Sequence, residues 1–321
     1  MTSRHAAAVS TIEKLSALEE ALSSVIRGKP EPVRLALVCL LARGHLLIED
    51  VPGVGKTTLA QTLARCLECG FHRIQFTSDM LPSDLLGVTV YSSSQEEFEF
   101  KRGPIFTNIL LADEINRTTP KTQSALLEAM NERQVTIEGR RYPLPMPFMV
   151  VATQNPIEYH GTYPLPESQM DRFLMRIRMG YPDAASEREI LRSDGRHLAS
   201  QAVTPVVNAH EVAELQRVAG EIRVDETVVD YLMAIVEKTR NHEHLALGSS
   251  PRGTIALYRA AQALALMEGL NYCTPDHVKR LVVPVFAHRL APDPRYGGNG
   301  AGVDRTAQIL EEILQSVEVP L

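Results

Sequence analysis

The apolar residues in the first part of the chain follow two different spacings. Short apolar runs bounded by turn residues predict buried β-strands, at residues 45–49, 72–76, 108–113, 148–153 and 174–179. Segments with a helical period stand before and between them, at residues 11–26, 32–42, 56–67 and 120–133. Strands that alternate with helices form parallel sheets covered on both faces. The pattern therefore predicts an α/β fold, an αβα core around a five-stranded parallel sheet.

The pattern changes after Tyr181 and Pro182. Residues 185–319 carry helical periods and little strand signal, most clearly at 212–219, 226–239 and 254–268. We therefore predict an α/β domain at residues 1–183 and an all-α domain at residues 184–321. The glycine-rich stretch 293–302 predicts a loop in the second domain.

Composition and charge narrow the classes of protein that fit. Hydrophobic residues make up 44% of the chain and charged residues 22%, which are ordinary globular values. The net charge of −6 argues against the concentrated basic face of a large nucleic-acid footprint. The longest apolar run, residues 35–42, is too short to cross a bilayer, and the first residues lack a signal-peptide core. We expect a cytoplasmic protein with no membrane span and no nucleic-acid partner.

Cys66 and Cys69 form a C-x-x-C pair inside a helical pattern. A redox or metal role would fit this spacing, but the chain has no second such pair to complete a tetrahedral metal site. The alternative is that both side chains lie on the buried face of a helix, which the helical period favours.

A glycine-rich turn joins the first predicted strand to the helix that follows it. Residues 50–57 read DVPGVGKT, and strand, turn and helix in this order are the context that a phosphate-binding loop requires. Amides near Gly53 and Gly55 would contact phosphate oxygens at the helix N-terminus. Lys56 would reach the β- and γ-phosphates, and Thr57 would offer its hydroxyl to Mg²⁺. Asp50 stands where the strict pattern has glycine, and a turn without a ligand is the alternative.

Two acids follow the third predicted strand. Ligands bind beyond the carboxyl ends of strands in such sheets, so Asp113 and Glu114 would lie at that crevice. Asp113 would hold Mg²⁺, directly or through water, and Glu114 would accept a proton from the attacking water. A pair of solvated loop acids is the alternative. The phosphate loop upstream favours the hydrolytic role.

Longer segments resemble one family. Residues 108–133 read NILLADEINRTTPKTQSALLEAMNER and residues 151–173 read VATQNPIEYHGTYPLPESQMDRF. Together with EDVPGVGKT, they look like the MoxR family of AAA+ ATPases, and the resemblance extends from about residue 26 to residue 290. It implies a P-loop NTPase core followed by a helical lid, with ATP and Mg²⁺ as cofactors. The implied nucleotide-binding residues are Ile26, Asp50, Pro52, Gly53, Val54, Gly55, Lys56, Thr57, Thr58 and Asp113, with Thr57 and Asp113 as metal ligands.

The resemblance implies roles for two further residues that act on the same subunit's nucleotide. Asn155, in ATQNP, resembles sensor 1, which would orient the attacking water with Glu114. An Asn-Pro turn would fit the same residues. Arg252, in GSSPRGT, resembles sensor 2 of the lid and would contact phosphate. Its alternative is an arginine at a helix start that makes a structural salt bridge.

Arg172, in MDRF, resembles an arginine finger. The resemblance implies that it acts on the ATP of a neighbouring subunit. One alternative is a surface ion pair with Asp171 or Glu167, and another is that Arg176 supplies the finger.

Two insertions also match the family. Residues 78–104 resemble its helix-2 insert, where the alternation at 97–101 suggests a hairpin strand. Residues 135–141 resemble its pre-sensor-1 hairpin, with Gly139 at the turn. In this clade such insertions point toward the pore or a client, although the residues alone would also fit inert hairpins. Residues 25–28 lie where related ATPases hold adenine.

The resemblance implies a homo-oligomeric, hexameric ring that works with a von Willebrand factor A-domain protein on an unknown protein client. Such pairs act in maturation or assembly of protein complexes or metal-cofactor enzymes. Two other classes of protein are the alternatives. A nucleic-acid motor lacks support from the charge. A nucleotide-binding switch would not need Glu114, Asn155 and Arg172 together.

Overall fold

The computed structural model describes residues 2–93, 96–156, 162–192, 203–296 and 302–320. The helices are α1 Thr2–Val25, α2 Pro30–Leu41, α3 Lys56–Cys66, α4 Pro82–Leu86, α5 Pro120–Glu132, α6 Glu167–Met170, α7 Ala184–Arg192, α8 Ala209–Gly220, α9 Glu226–Arg240, α10 Pro251–Met267, α11 Pro275–Phe286 and α12 Gly302–Ser316. The strands are β1 Leu46–Glu49, β2 Phe71–Gln75, β3 Gly87–Ser92, β4 Glu97–Arg102, β5 Ile109–Asp113, β6 Gln134–Ile137, β7 Arg140–Pro143, β8 Met149–Gln154, β9 Met175–Ile177, β10 Leu245–Leu247 and β11 Ala291–Pro292.

Five strands form the central sheet in the order β2-β5-β8-β1-β9, and every neighbouring pair is parallel. β1 and β5 are buried along their whole length, as strands covered on both faces are. In the register, Leu46 of β1 lies opposite Val151 of β8 and Met175 of β9. The predicted α/β fold with a five-stranded parallel sheet is confirmed. The carboxyl ends of β5, β8 and β1 consequently lie side by side at one edge.

Two antiparallel hairpins stand outside the central sheet. β3 pairs with β4, which confirms the strand expected at residues 97–101, and β6 pairs with β7. Gly139 has a φ of +78° between β6 and β7, a conformation that favours glycine at the predicted turn. The rings of Phe100 in β4 and Tyr142 in β7 lie 4.4 Å apart between centroids, so the two hairpins pack against each other.

The helices of the C-terminal region pack against the first helices of the chain. One buried apolar cluster includes Leu37 of α2, Leu257 of α10 and Val282 of α11, all fully buried. The boundary expected near residue 183 falls between β9 and α7, and it stays a prediction because this cluster is continuous across it. Residues 297–301 of the expected glycine-rich loop lie outside the described part of the chain. Among the described helices, none is long and apolar enough to cross a membrane.

Cys66 is the last residue of α3 and is fully buried, whereas Cys69 is half-buried just beyond the helix. Burial raises the pKa of both thiols to about 11, so neither is a ready thiolate at neutral pH. The described residues contain no group of three or more metal-ligating side chains near them or elsewhere. Cys66 therefore fits the helix-packing interpretation, whereas the expectation that Cys69 lies on the buried face of the same helix is wrong, because α3 ends at Cys66.

Candidate active site

The glycine-rich turn leaves the end of β1 and opens α3. Gly53 and Gly55 have φ values of +85° and +96°, in the left-handed region that side chains disfavour. Gly55 occupies the cap position of α3 and no side chain caps the helix. The first amides of α3 consequently remain available to an anion, with the helix dipole directed at the same point.

Lys56 and the threonines that follow it form the first turn of α3. The Lys56 ammonium donates to the backbone oxygen of Asp50 at 2.7 Å, so it bends back over the loop. Thr57 and Thr58 are half-buried. This arrangement places a cation and hydroxyl groups beside uncapped amides, which is the chemistry that a triphosphate requires.

The hydrogen bonds of Asp50 explain why an aspartate stands where the strict pattern has glycine. Its Oδ2 accepts hydrogen bonds from the amides of Met179 and Gly180, both at 2.7 Å, and its Oδ1 accepts from the Val51 amide at 2.8 Å. The carboxylate therefore ties the start of the phosphate loop to the chain leaving β9. A glycine could not make these contacts.

Lys29 is a second support of the loop, and the sequence reasoning missed it. It is buried, and its ammonium donates to the carbonyl oxygens of Val54 at 2.7 Å and Gly180 at 2.6 Å. Burial lowers the pKa of Lys29, while the nearby charge of Asp50 opposes that shift. Its place directly after the segment that resembles an adenine grip was the available signal.

Asp113 ends β5 and is held from two sides. Thr153 of β8 donates its hydroxyl to Oδ1 at 2.5 Å, and Arg73 of β2 donates to Oδ2 at 2.7 Å. The carboxylate is buried but fixed in orientation. Carboxylate and hydroxyl oxygens such as those of Asp113 and Thr57 are the hard ligands that Mg²⁺ prefers. A site with few protein ligands is what Mg²⁺ uses when phosphates complete its shell.

Glu114 follows Asp113 in the left-handed region, with a φ of +57°. Its amide donates to the Thr153 hydroxyl at 2.9 Å. Its Oε2 accepts from the Gln75 amide group at 2.6 Å and from Arg117 Nε at 3.1 Å. The carboxylate is half-buried, and left-handed backbone conformations of non-glycine residues are common where function requires them.

Asn155 follows β8, between the ends of β5 and β1, and is buried. The Asp50 amide donates to the backbone oxygen of Gln154 at 3.1 Å, which joins this strand end to the phosphate loop. The site residues expected at Asp50, Asp113 and Asn155 are therefore neighbours along one sheet edge. Residues 157–161, the rest of the motif that contains Asn155, lie outside the described chain.

Arg172 follows α6 and is half-buried. Its Nε is buried and has no hydrogen-bond partner among the described residues. The ion pair with Asp171 that was the alternative does not form, because the Asp171 carboxylate accepts from Arg289 Nε at 2.8 Å and from the Ser250 hydroxyl at 3.0 Å. No ion pair with Glu167 is formed among the described residues either.

Arg176 lies on β9, where its buried guanidinium pairs with buried Glu49 of β1 at 3.1 Å. Its side chain is only 8% exposed, which does not favour Arg176 as the residue that extends to another subunit. Arg252, in contrast, is exposed in the first turn of α10. The described part of the chain contains no carboxylate paired with it, which does not support the salt-bridge alternative. Ile26 is buried directly after α1.

The class of P-loop AAA+ proteins is defined by four features that this chain has. They are a parallel αβα core, an uncapped glycine-rich loop, acids at the end of a neighbouring strand and a helical region after the core. Family profiles agree: the "ATPase family associated with various cellular activities (AAA)" matches residues 45–175, and the "AAA lid domain" matches residues 237–313.

Individual relatives narrow the class. The chain is 47% identical over 302 residues to "Uncharacterized protein YeaC" of Bacillus subtilis, covering 94% of this chain and 93% of that one. It is 44% identical over 294 residues to "Chaperone MoxR1" of Mycobacterium tuberculosis, covering 89% and 77%. A crystal structure of a protein described as an ATPase, from Cytophaga hutchinsonii, aligns with this chain with a TM-score of 0.91 and 36% sequence identity. The alignment covers 99% of this chain and 98% of that one. The chain belongs to the MoxR family of AAA+ ATPases.

Proposed function

We propose that the chain hydrolyses ATP and uses the energy to remodel a protein client. The observation that carries this proposal is the sheet edge at which the phosphate loop, Asp113 with Glu114, and Asn155 lie side by side. Lys56 and the uncapped amides of α3 would hold the phosphates. A loop that only bound nucleotide would not need acids and a buried amide at neighbouring strand ends.

The chain's own residues would divide the hydrolytic step between them. Thr57 and Asp113 would hold Mg²⁺, which when bound neutralises charge on the phosphate oxygens. Glu114 would take the proton of the attacking water, and Asn155 would orient that water against the γ-phosphate. Gln75 and Arg117, which bind the Glu114 carboxylate, would have to release it or hold it at the productive angle.

Two arginines would link hydrolysis to assembly. Arg252 would contact the phosphates of its own subunit as the helical region closes. Arg172, with a buried Nε that lacks a partner among the described residues, would contact the γ-phosphate of a neighbour. We infer a homo-oligomeric ring of six subunits in the cytoplasm. Its partner would be a von Willebrand factor A-domain protein, and its task the maturation or assembly of protein complexes or metal-cofactor enzymes.

Replacement of Glu114 tests the proposal. Glu114→Gln should bind ATP with little change but release phosphate about 10²–10⁴-fold more slowly, since a positioned general base contributes that much. Lys56→Ala, as the comparison, should lose nucleotide binding itself. Turnover within a factor of a few of the unmodified protein would assign the base to another residue. The ATP-bound Glu114→Gln protein is also the bait of choice for its partner and client.

A further inference from the structure

A cleft of about 540 Å³ lies between the core and the C-terminal helices, away from the phosphate loop. Residues at the end of α2 and at the end of α5 form one wall, and residues of α8 and α10 form the other. The volume is within the range of small-molecule sites, about 300–1,000 Å³. None of the residues at 50–58 lines it, so it is separate from the nucleotide site.

Three arginines enter this cleft from three different elements. Arg43 follows α2, Arg133 follows α5 and Arg259 belongs to α10. Within the described chain no carboxylate pairs with any of them. By contrast, Arg34, Arg176 and Arg289 each bind an acid elsewhere in the molecule. The cleft therefore gathers positive charge that the protein itself does not neutralise.

The positive charges of the cleft change the pKa values of neighbouring groups. Burial lowers the pKa of Arg133, and the positive charges of Arg43 and Arg259 lower it further. The charge of Arg133 also helps to lower the pKa of buried His45. The acid that lines the cleft, Glu221, already binds Arg217 of the same wall. Like charges that are held together destabilise a protein unless an anion occupies the space between them.

We propose that the cleft binds a compact polyanion of the polyphosphate class. Guanidinium groups match phosphate oxygens with paired N–H donors, and three of them facing one space suit a ligand with several negative charges. Such a ligand would connect α2 and α5 of the core with α10 of the helical region. Its binding would therefore hold the helical region in place against the core.

Calorimetric titration with inorganic tripolyphosphate tests the proposal on the full chain. Lys56→Ala serves as the starting protein, because its phosphate loop should no longer compete for the probe. We expect saturable binding in this background. Arg259→Gln should weaken it at least about tenfold, since hydrogen bonds to charged groups contribute that much. Arg43→Gln together with Arg259→Gln should weaken it further.

Arg217→Gln is the matched control. Arg217 lines the same cleft and is exposed, but Glu214 and Glu221 already bind its guanidinium. Its replacement should change the affinity less than about threefold. Arg43 and Arg259 are exposed, so their variants should fold, and thermal unfolding without the probe checks this.

Three outcomes would overturn the proposal. The first is equal affinity in all arginine variants, and the second is no saturable binding in the Lys56→Ala background. The third is a change of particle mass in light scattering for Arg259→Gln while tripolyphosphate has no effect, which would make the cleft a contact between copies of the chain.

Discussion

Lys29 is not part of the phosphate loop but stabilises it, because its ammonium donates hydrogen bonds to the carbonyl oxygens of Val54 and Gly180. Lys29→Met keeps most of the apolar stem but leaves both acceptors without this donor. We expect the free energy of unfolding to fall by about 1–3 kcal/mol, the usual cost of buried polar groups left unpaired. Affinity for ATP should also weaken, because the loop is held less firmly. Denaturant unfolding and titration with a fluorescent ATP analogue measure the two effects.

Lys14→Met is the control for this change. Lys14 pairs with Glu211 at 2.6 Å, but both side chains are about one-third exposed. Its loss should cost at most about 1 kcal/mol and leave nucleotide affinity unchanged. If Lys29→Met lost stability while binding ATP normally, Lys29 would support folding and not the site.

His45 makes stability depend on pH. Its Nδ1 accepts from the Val150 amide, and its Nε2 donates to the Met130 oxygen. Burial lowers its pKa from 6.5 to about 4. Between these values the unfolded chain binds a proton that the folded chain does not, so stability falls as pH drops, by up to about 3 kcal/mol for this residue.

Urea unfolding at a series of pH values between 7 and 4 measures the effect. His45→Gln should be less stable at neutral pH but lose less stability on acidification. Buried His288, whose pKa is also well below the ordinary value, should preserve part of the acid sensitivity in that variant. An unchanged slope in His45→Gln would place the acid-sensitive group elsewhere.

At the residue scale, the sequence predicted the groups that belong to contiguous motifs. Lys56, Asp113 and Glu114 follow from a strand, a turn and a helix whose geometry is local. The tasks of Asp50 and Lys29 did not follow, because both depend on Gly180, which lies 130 and 151 residues further along the chain. Only folding brings those backbone groups together.

At the scale of elements, periodicity found the sheet but not every boundary. α1 begins at Thr2 and not at residue 11, because alanines at 6–8 favour helix without adding an apolar stripe. α2 begins at Pro30, since proline is accepted in the first turn. β10 and β11 have three and two residues, too few to produce any alternation.

Asp171 connects the segment of Arg172 to the start of α10. Its carboxylate binds Arg289, whose side chain is only 3% exposed, and the Ser250 hydroxyl at the cap of α10. Burial lowers the pKa of Arg289 to about 10, which the charge of Asp171 opposes. Asp171→Asn would leave a buried cation without its anion. We expect a loss of about 3–5 kcal/mol in denaturant unfolding, the cost of breaking a buried pair.

A double-mutant cycle separates this pair from its surroundings. Asp171→Asn combined with Arg289→Met should be more stable than the sum of the single changes predicts, because no buried charge remains unpaired. Additive losses would mean that the two residues act independently. The same variants should also change the nucleotide dependence of hydrolysis if Asp171 couples Arg172 to the helix that bears Arg252.

At the scale of the whole molecule, the sequence predicted the class and the structure added the supports between regions. Motif order was sufficient for the family because each motif is contiguous. The cleft that collects Arg43, Arg133 and Arg259 could not be predicted, since its residues come from distant elements. The proposed assembly of subunits also belongs to the scale of the whole molecule, and substitution of Arg172 tests it directly.

Arg172→Ala should bind ATP almost normally but hydrolyse it about 10³–10⁵-fold more slowly, the effect of arginine fingers where it has been isolated. Arg172→Lys should not restore the rate fully, because lysine lacks the planar fork. Phosphate release measures both variants. These results alone would not show in which subunit the guanidinium acts.

Mixing two inactive proteins decides that question. Arg172→Ala subunits have an intact phosphate loop, and Lys56→Ala subunits have an intact Arg172. Each kind alone should be inactive. In a mixed assembly, Arg172 of a Lys56→Ala subunit should contact the ATP bound to an Arg172→Ala neighbour. Hydrolysis should therefore return at those interfaces. Because recovery requires both kinds in one particle, affinity tags on each must first show co-assembly. No recovery in assemblies shown to be mixed would refute action between subunits and leave Arg172 as a residue of its own subunit's fold.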